Sequence, residues 1–371
     1  MSYTLKQKST KSQARLGTLK TNHGEVETPV FMPIATVGAI KTLGTDDVEK
    51  LGAQILLGNT YHLMLRPGHE LVQSAGGLHK FMNWSHSILT DSGGYQVYSL
   101  AKLHKLTEEG VTFNSHIDGS KHFLSPEKSM EVQHALGSDI VMVLDECPEW
   151  PVEHEVATIS LALTNRWAKR SKEYYQKIGG KGLLFGIQQG STFRDLREES
   201  ARALVEIGFD GYAVGGLSFE EPREESYAVV ADFDKIIPEN SARYFMGGAQ
   251  PKEIVEYVKR GIDMFDCVLP TRNARHGSLY VAKPPLYHSR EWYNEDFYET
   301  VHIGNEIYKN DFKPIDENCD CLACQRYTRA YTRHLFSINE TLGLRLATLH
   351  NLYFYLNLMK QIRTAISAGN F

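Results

Sequence analysis

The sequence lacks long apolar runs. No stretch approaches the roughly 20 consecutive apolar residues that a helix needs to cross a bilayer, which argues against a transmembrane segment. The first residues, MSYTLKQKSTKSQAR, have none of the apolar core of a secretory signal. We therefore expect neither a signal peptide nor contact with a membrane, and we predict a cytoplasmic location.

An excess of positive charge is also missing. Lys and Arg number 40 against 45 Asp and Glu, which leaves a formal charge of -5. Proteins that bind nucleic acid indiscriminately carry a basic surface, so this balance argues against that class. It leaves room for a basic face that is confined to one part of the molecule.

Cysteine is scarce, with only five residues, but three of them are crowded together as Cys319, Cys321 and Cys324. In a cytosolic chain such crowding favours a metal site over disulfides. His350 follows, and three thiolates with one imidazole complete the tetrahedral shell of a structural zinc ion. His334 is an alternative fourth ligand, and three buried free cysteines are the alternative to any metal.

Apolar, β-branched segments recur along the chain, each followed by polar or Gly-rich residues and then a helical pattern. Eight such strands alternating with helices are typical of a parallel (β/α)₈ barrel, an α/β fold; a doubly wound open sheet is the alternative. We predict barrel residues 1–270, a zinc-binding subdomain at 271–350 that elaborates the eighth βα unit, and a C-terminal helix at 351–371. The predicted strands lie in 29–38, 53–62, 86–95, 139–147, 182–190, 211–218, 243–249 and 264–270, the last ended by Pro270.

In such a barrel, polar residues at the carboxyl ends of the strands point into one mouth. Three of them are aspartates, and buried carboxylates are costly unless they are paired or hydrogen-bonded. The predicted mouth set is Asp91, Asp145, Glu146, Cys147, Gln188, Gln189, Gly215, Gly216, Met246 and Asp266.

The three aspartates of this set suit glycosyl chemistry. One carboxylate can attack an anomeric carbon through an oxocarbenium-like transition state while a second manages the proton. The alternative is that each aspartate separately caps a helix or accepts backbone N–H groups.

Several motifs, in the same order, resemble those of the bacterial tRNA-guanine transglycosylase family. They are GNTYHLMLRPG, TDSGGYQV, LDEC, FGIQQGS, DGYAVGGL, FDCVLPTRNARHG and the cysteine cluster with its distant histidine. The resemblance runs from about Arg15 to the C-terminus.

This resemblance implies a (β/α)₈ barrel with one structural Zn²⁺ per subunit, a homodimer, and replacement of the wobble guanine in the anticodon stem-loop of certain tRNAs. The incoming base is a 7-deazaguanine precursor of queuosine. By position, Asp266 is the expected nucleophile on the ribose anomeric carbon, and Asp91 is the expected general acid/base.

The resemblance also implies a base pocket and a tRNA-binding surface. Asp145 is expected to accept hydrogen bonds from the guanine edge, Gln189 and the Gly216 N–H to donate to its carbonyl, and Tyr95 and Met246 to enclose the ring. Leu217 and Cys147 complete the base-binding set. The basic residues expected to meet tRNA phosphates are Arg272, Arg275, Lys283, Arg326, Arg329 and Arg333.

Two stretches beside the expected pocket depart from the family pattern: Ser218, Phe219 and Glu220 follow the Gly pair, and Trp150 replaces a common Tyr. Cys147 matches bacterial members, which favours 7-aminomethyl-7-deazaguanine as the incoming base, with queuine as the alternative.

Two further functions are weighed against this one. A zinc-dependent barrel hydrolase needs two histidines one residue apart after the first strand, and the chain contains no His-x-His. A non-catalytic tRNA-binding partner subunit would lack a nucleophile on the eighth strand, where this chain has Asp266.

Overall fold

The computed structural model describes residues 2–100, 104–218, 220–248, 250–283, 292–294 and 296–371. The strands are β1 Tyr3–Lys8, β2 Arg15–Thr21, β3 Gly24–Thr28, β4 Val30–Met32, β5 Ile34–Ala35, β6 Ile55–Gly58, β7 Ser87–Thr90, β8 His104–Leu106, β9 Val111–Asn114, β10 Lys121–Leu124, β11 Ile140–Met142, β12 Leu183–Gln188, β13 Gly211–Val214, β14 Ala242–Phe245, β15 Met264–Asp266, β16 Ser278–Ala282 and β17 Tyr298–His302.

The helices surround and extend the barrel. They are α1 Thr45–Lys50, α2 Thr60–Leu65, α3 His69–Ser74, α4 Leu78–Met82, α5 Gly94–Leu100, α6 Pro126–Leu136, α7 His154–Lys177, α8 Arg194–Ile207, α9 Arg223–Ile236, α10 Pro251–Lys259, α11 Leu269–Arg275, α12 Leu322–Arg326, α13 Arg329–Ser337 and α14 Thr341–Ser367, with short 3₁₀ turns at Trp292–Asn294 and Glu306–Tyr308.

The main sheet is a parallel barrel. Its order is β4-β15-β14-β13-β12-β11-β7-β6-β5, and β4 and β5 are separated only by Pro33. Because β4 pairs with β15 while β5 pairs with β6, one interrupted first strand joins the two edges. The predicted (β/α)₈ barrel is therefore confirmed, and the open-sheet alternative is wrong.

The barrel strands have apolar sequences because both faces of the sheet are covered. Every residue of β6, β7 and β14 is buried. Strands of a parallel barrel contact side chains in the lumen and helices outside, so they read as continuous apolar runs. This is why the strands could be located in the sequence without alternation.

A three-stranded antiparallel sheet, β1-β2-β3, covers the amino end of the barrel. The Tyr3 hydroxyl and the Arg15 Nε both donate to Asp263 Oδ1 at 3.0 Å, just before β15. His23 lies 2.8 Å from Asp139, just before β11. The N-terminal segment is therefore fixed to the starts of the barrel strands.

The eighth strand is shorter than predicted. It ends at Asp266, and α11 begins at Leu269, so Pro270 lies in the first turn of a helix and does not end a strand. Proline is tolerated there because the first N–H groups of a helix have no partner within it. The error comes from reading Val268 and Leu269 as a continuation of the apolar strand.

The C-terminal region adds a two-stranded sheet, β16-β17, and helices α12 to α14. Helix α14 packs on α11, α12, α13 and β16, and also contacts β4 and β2 of the main body. It is continuous from Thr341 to Ser367, so the division predicted between residues 350 and 351 falls inside one helix.

Among the residues that the structure describes, no helix combines the length and the apolar character that a bilayer crossing requires.

Candidate active site

A cavity of about 450 Å³ opens at the carboxyl ends of the barrel strands. Among the described residues, its lining does not include Glu146 or Gln188 of the predicted mouth set. Neighbouring residues of an extended chain point to opposite sides, so Asp145 and Gln189 face the cavity while Glu146 and Gln188 face away. The predicted residues that do line it are Asp91, Tyr95, Asp145, Cys147, Gln189, Gly215, Gly216, Leu217, Met246, Asp266 and Arg272.

Asp91 follows β7 and is buried. Its Oδ1 accepts the Thr60 N–H at 2.9 Å, and its Oδ2 accepts from the Asn59 side chain, which also caps α2. Burial, with smaller contributions from nearby Asp266 and Asp145, raises the pKa of Asp91 to about 7 against the opposing effect of the Thr60 N–H. Asp91 can therefore change protonation state near neutral pH.

Asp145 lies beyond the end of β11, beside the Gly93–Gly94 turn. It accepts hydrogen bonds from the Ser92 hydroxyl at 3.0 Å and from Gln189 Nε2 at 2.7 Å. Burial raises its pKa above the ordinary value, against the effect of these two donors. The Gln189 amide is thus placed at the cavity wall by Asp145.

Asp266 is the last residue of β15. The Tyr244 hydroxyl and the Gly247 N–H both donate to its Oδ1, at 2.5 and 2.8 Å. Burial raises the pKa of Asp266, and these two hydrogen bonds oppose the shift. Because both donors contact Oδ1, Oδ2 is the oxygen available for a new bond.

The three aspartates share one environment. Among the described residues none of them forms an ion pair with a Lys, Arg or His side chain, and burial dominates the pKa of each. Carboxylates kept close together without a cation are typical of sites that use them chemically. The separate-cap alternative explains single contacts but not their convergence on one cavity.

Other predicted base-pocket residues form the cavity wall. Tyr95 on α5 is 49% exposed, which leaves its ring accessible, and Met246 follows β14. Burial raises the pKa of Cys147 to about 12, so this residue stays a neutral thiol. Gly216 has φ +66, and a Cβ there would lie 2.2 Å from Gln189 Oε1, so glycine is required for this close approach.

The predicted basic residues differ in their contacts. Arg329 pairs with Asp311 at 3.2 Å, Arg333 pairs with Glu306, and Lys283 pairs with Asp296 at 2.5 Å. Arg275 donates to the Thr271 carbonyl. Arg272, at the cavity, and Arg326 are both exposed.

The four predicted metal ligands form one buried cluster. Their ligand atoms lie within 4.8 Å of one another, and His350 Nδ1 is 3.6, 3.8 and 3.3 Å from the sulfurs of Cys319, Cys321 and Cys324. A tetrahedral zinc site, with bonds of about 2.3 Å to sulfur and about 2.0 Å to nitrogen, has such edges of about 3.5 Å. His334 lies on α13, outside this cluster.

The orientation of His350 also suits a metal. Its Nε2 lies 2.6 Å from the Tyr280 carbonyl oxygen, so Nε2 carries the proton and donates it. The lone pair of Nδ1 is then directed at the three sulfurs, as in metal sites whose histidine is held by a backbone carbonyl. The cluster can therefore hold a metal ion.

Sequence reasoning missed the residues that hold the aspartates. Asn59 belongs to the motif GNTYHLMLRPG, and its position before α2 was a signal that it caps this helix. Tyr244 is a buried strand residue with no distinguishing pattern around it. Only pairing of β14 with β15 brings its hydroxyl to Asp266.

Comparisons with known proteins identify the family of the chain. The model of the family described as "Queuine tRNA-ribosyltransferase" matches residues 9–371. A protein of that name from Pelotomaculum thermopropionicum is 52% identical over 369 residues, covering 100% of this chain and 95% of the relative.

Two further relatives carry the same name. One from a Thermoanaerobacter species is 50% identical over 98% of this chain and 93% of its own length, and one from a Psychrobacter species is 50% identical over 100% and 94%. These matches confirm the predicted enzyme class, a pentosyltransferase, and the resemblance seen in the motifs. The chain belongs to the queuine tRNA-ribosyltransferase family, whose enzymes are tRNA-guanine transglycosylases.

Proposed function

We propose that this protein exchanges the wobble guanine of queuosine-type tRNAs for 7-aminomethyl-7-deazaguanine through a covalent bond between Asp266 and the ribose. The observation that carries the proposal is the convergence of Asp91, Asp145 and Asp266 on one cavity, with no ion-pair partner for any of them among the described residues. The target nucleotide leaves its stack to enter the cavity, as enzymes that act on a base require.

In the first step, Asp266 Oδ2 attacks C1′ of the ribose and the C1′–N9 bond breaks, with its electron pair passing to the guanine. Asp91 supplies the proton that the departing base takes up. In the second step, Asp91 removes the N9 proton of the incoming base, whose nitrogen attacks C1′ and releases the Asp266 carboxylate. A pKa of about 7 suits Asp91 for both directions of this transfer.

The cavity wall supports recognition of a purine edge. The Asp145 carboxylate can accept two adjacent N–H donors of the base. Gln189 Nε2 carries two hydrogens, so one can stay on Asp145 while the other reaches the base carbonyl. Tyr95 and Met246 border the cavity, where they can contact the faces of the ring.

Radiolabelled guanine and cognate tRNA test the reaction. Label should enter tRNA with the unaltered protein, and a tRNA adduct should survive denaturation. Asp266→Ala should abolish both. No incorporation by the unaltered protein over a range of salt concentrations would contradict the exchange, and an adduct formed by Asp266→Ala would move the nucleophile elsewhere. A non-catalytic tRNA-binding subunit would show binding without any incorporation.

Queuine is the second candidate for the incoming base. The Ser218 N–H donates to Glu221 Oε1 at 2.6 Å beside cavity residue Leu217, which fixes one side of the pocket. Phe219 lies outside the described residues. Competition between the two bases for incorporation into tRNA distinguishes the candidates. 7-Aminomethyl-7-deazaguanine, the smaller base, should have the higher kcat/KM, and the reverse order would identify queuine as the preferred base.

We propose that the cluster of Cys319, Cys321, Cys324 and His350 binds one structural Zn²⁺. All four ligands come from the protein, which leaves no position for substrate. Bound zinc would hold α12 against α14. The double variant Cys321→Ala with Cys324→Ala should lose stoichiometric zinc in elemental analysis, while His334→Ala should keep it. Full zinc content in the cysteine variant would contradict this ligand set.

Arg272 and Arg326 are the predicted tRNA contacts with the greatest exposure. Replacing either by Ala should weaken tRNA binding and reduce its salt dependence, because each phosphate contact contributes to the release of counterions. Arg275 stays in the proposed set, as do the ion-paired Lys283, Arg329 and Arg333. Arg202→Ala, which removes an exposed arginine paired with Glu198, is the control. If the logarithm of tRNA affinity falls equally steeply with the logarithm of salt concentration in all variants and in the unaltered protein, these contacts are contradicted.

A homodimer is part of the proposal. Ile307 and Phe312, in the region after β17, are large apolar side chains that are 78% and 76% exposed. Contiguous exposed apolar patches mark protein–protein interfaces, and these two side chains are candidates for part of such a patch. Sedimentation at micromolar concentration should give twice the mass of 42.0 kDa, and a single-chain mass would contradict the dimer.

A further inference from the structure

Arg197 on α8 is a buried cation behind the cavity, 1% exposed. Within the part of the chain that the structure describes, its guanidinium donates to backbone oxygens alone: Nε to the Ser191 carbonyl at 2.6 Å, Nη1 to the Gln188 carbonyl at 2.9 Å and Nη2 to the Gly216 carbonyl at 3.4 Å. The Gln188 side chain returns a hydrogen bond to the Arg197 carbonyl at 2.8 Å. These contacts hold the guanidinium in one orientation.

Other buried arginines of this barrel have carboxylate partners. Arg15 pairs with Asp263, and Arg243 pairs with Asp234. Within the described residues Arg197 has no acidic side chain at ion-pair distance. Burying a charge without an ion-pair partner costs free energy of folding. The presence of such a charge next to the cavity therefore indicates a function that offsets this cost.

The charge persists at neutral pH. Burial lowers the pKa of Arg197 to about 10, and the Cys147 thiol and Glu221 oppose this shift. The side chain therefore remains protonated where the reaction is expected to run. The same low-dielectric surroundings that make the charge costly also make its electric field strong at short range.

The three contacted carbonyls lie in or next to the cavity wall. Gln188 precedes Gln189, Ser191 follows it closely, and Gly216 lines the cavity itself. The guanidinium thus connects the segments that follow β12 and β13. It contacts the backbone of cavity residue Gly216 without lining the cavity itself.

We propose that Arg197 is a positioning residue whose buried charge stabilises the negative charge that forms on the purine as the C1′–N9 bond breaks. This inference rests on the proposed exchange reaction. When the bond breaks, its electron pair passes to N9 and spreads over the ring toward the carbonyl oxygen, which faces Gln189 and Gly216. Arg197 holds these two residues in place and places a positive charge behind them, before any charge has formed.

Leaving groups of different basicity test the inference. The tRNA is loaded by the unaltered enzyme with labelled guanine or with labelled 8-azaguanine, whose triazole ring gives a less basic anion. Release of label is then followed in single turnovers. Arg197→Met should slow release of guanine about 10- to 100-fold. The loss should be clearly smaller for 8-azaguanine, because its anion needs less stabilisation.

Arg197→Lys keeps the charge but loses the three-way hydrogen bonding, so its loss with guanine should be smaller than that of Arg197→Met. If Arg197→Met does not fold, Arg197→Lys is measured in its place. It should likewise slow the release of guanine more than the release of 8-azaguanine. Arg194→Met, an exposed position on the same helix, should release both bases at the unaltered rate. Equal losses for the two bases in the Arg197 variants would overturn the inference and leave a structural role only.

Failure of the proposed function would look different. The unaltered enzyme would then incorporate neither base, and the loaded tRNA could not be prepared.

Discussion

Buried aspartates have different partners at the two ends of the barrel. At the amino end, Asp263 is paired with Arg15, and Asp139 is shared by His23 and His79 at 2.8 and 3.0 Å. At the carboxyl end, the three cavity aspartates have no such partners among the described residues. The sequence places one aspartate next to a strand in each case, so the difference comes from what surrounds it.

The pKa shifts follow the same division. Burial acts to raise the pKa of Asp139, but hydrogen bonds from His79, His23 and the Ile88 N–H outweigh it and leave the pKa below its ordinary value. Burial prevails at Asp91, where the pKa is about 7. The paired aspartates at the amino end thus support the fold. The mouth aspartates, for which we propose chemical roles, have no ion-pair partner among the described residues, and their burial costs stability.

The largest expected effect is on catalysis at the mouth. Asp266→Asn keeps an Oδ1 for the hydrogen bonds from Tyr244 and Gly247 but removes the proposed nucleophile. Guanine exchange should fall on the order of 10⁴-fold or more, with little change in thermal unfolding. Exchange assays and calorimetry on the same preparation measure both. If Asp266→Asn lowered the free energy of unfolding as much as a variant at the amino end does, the two ends of the barrel would not differ in the way described.

The largest expected effect on stability is at the amino end. Asp263→Asn leaves the Arg15 cation buried without its carboxylate, and breaking such a pair costs about 3–5 kcal/mol. Urea unfolding of this variant should show that loss in the free energy of unfolding. Whatever protein stays folded should still exchange guanine at the normal rate, and selective loss of activity without destabilisation would contradict the assignment.

Asp91 at the mouth should also determine the pH dependence of the proposed reaction. In the proposed mechanism Asp91 must be ionised to take the N9 proton, and its pKa is about 7. Below that pH, kcat/KM for the incoming base should rise about tenfold per unit, and it should level off above it. Rates measured from pH 5 to 9 at saturating tRNA check this. A flat profile would remove Asp91 from the rate-limiting proton transfer.

The smallest expected effect is a gain in stability at the mouth. The pKa of Asp145 is raised by burial, so the folded state binds its proton more tightly than the unfolded state. Its cost to stability is therefore absent at acidic pH and grows as the pH rises through the folded-state pKa. Asp145→Asn, with the Gln189 amide turned over, should raise stability by about 0.5–2 kcal/mol at pH 8 and by less at pH 4. A destabilisation at pH 8 would contradict this reading.

The sequence was sufficient for the fold class because parallel barrel strands are buried on both faces and therefore stand out as apolar runs. It also located the cysteine cluster and most of the mouth set, since residues at the carboxyl ends of such strands share one mouth, although Glu146 and Gln188 do not line the cavity. The residues that the family resemblance implied for the base pocket all line this cavity, but their roles stay predictions. It misplaced the end of the eighth strand, because Val268 and Leu269 continue the apolar pattern after Asp266 although the backbone turns into α11.

The residue types along the chain determined by themselves which aspartates lie at strand ends and which thiols can meet a metal. Only the tertiary structure decided what each aspartate faces. Tyr244 and Asp266 are 22 positions apart, and Arg15 and Asp263 are 248 apart. A pKa depends on burial and on charges within a few ångströms, and contacts of that kind are set by strand pairing and packing, which local sequence patterns do not encode.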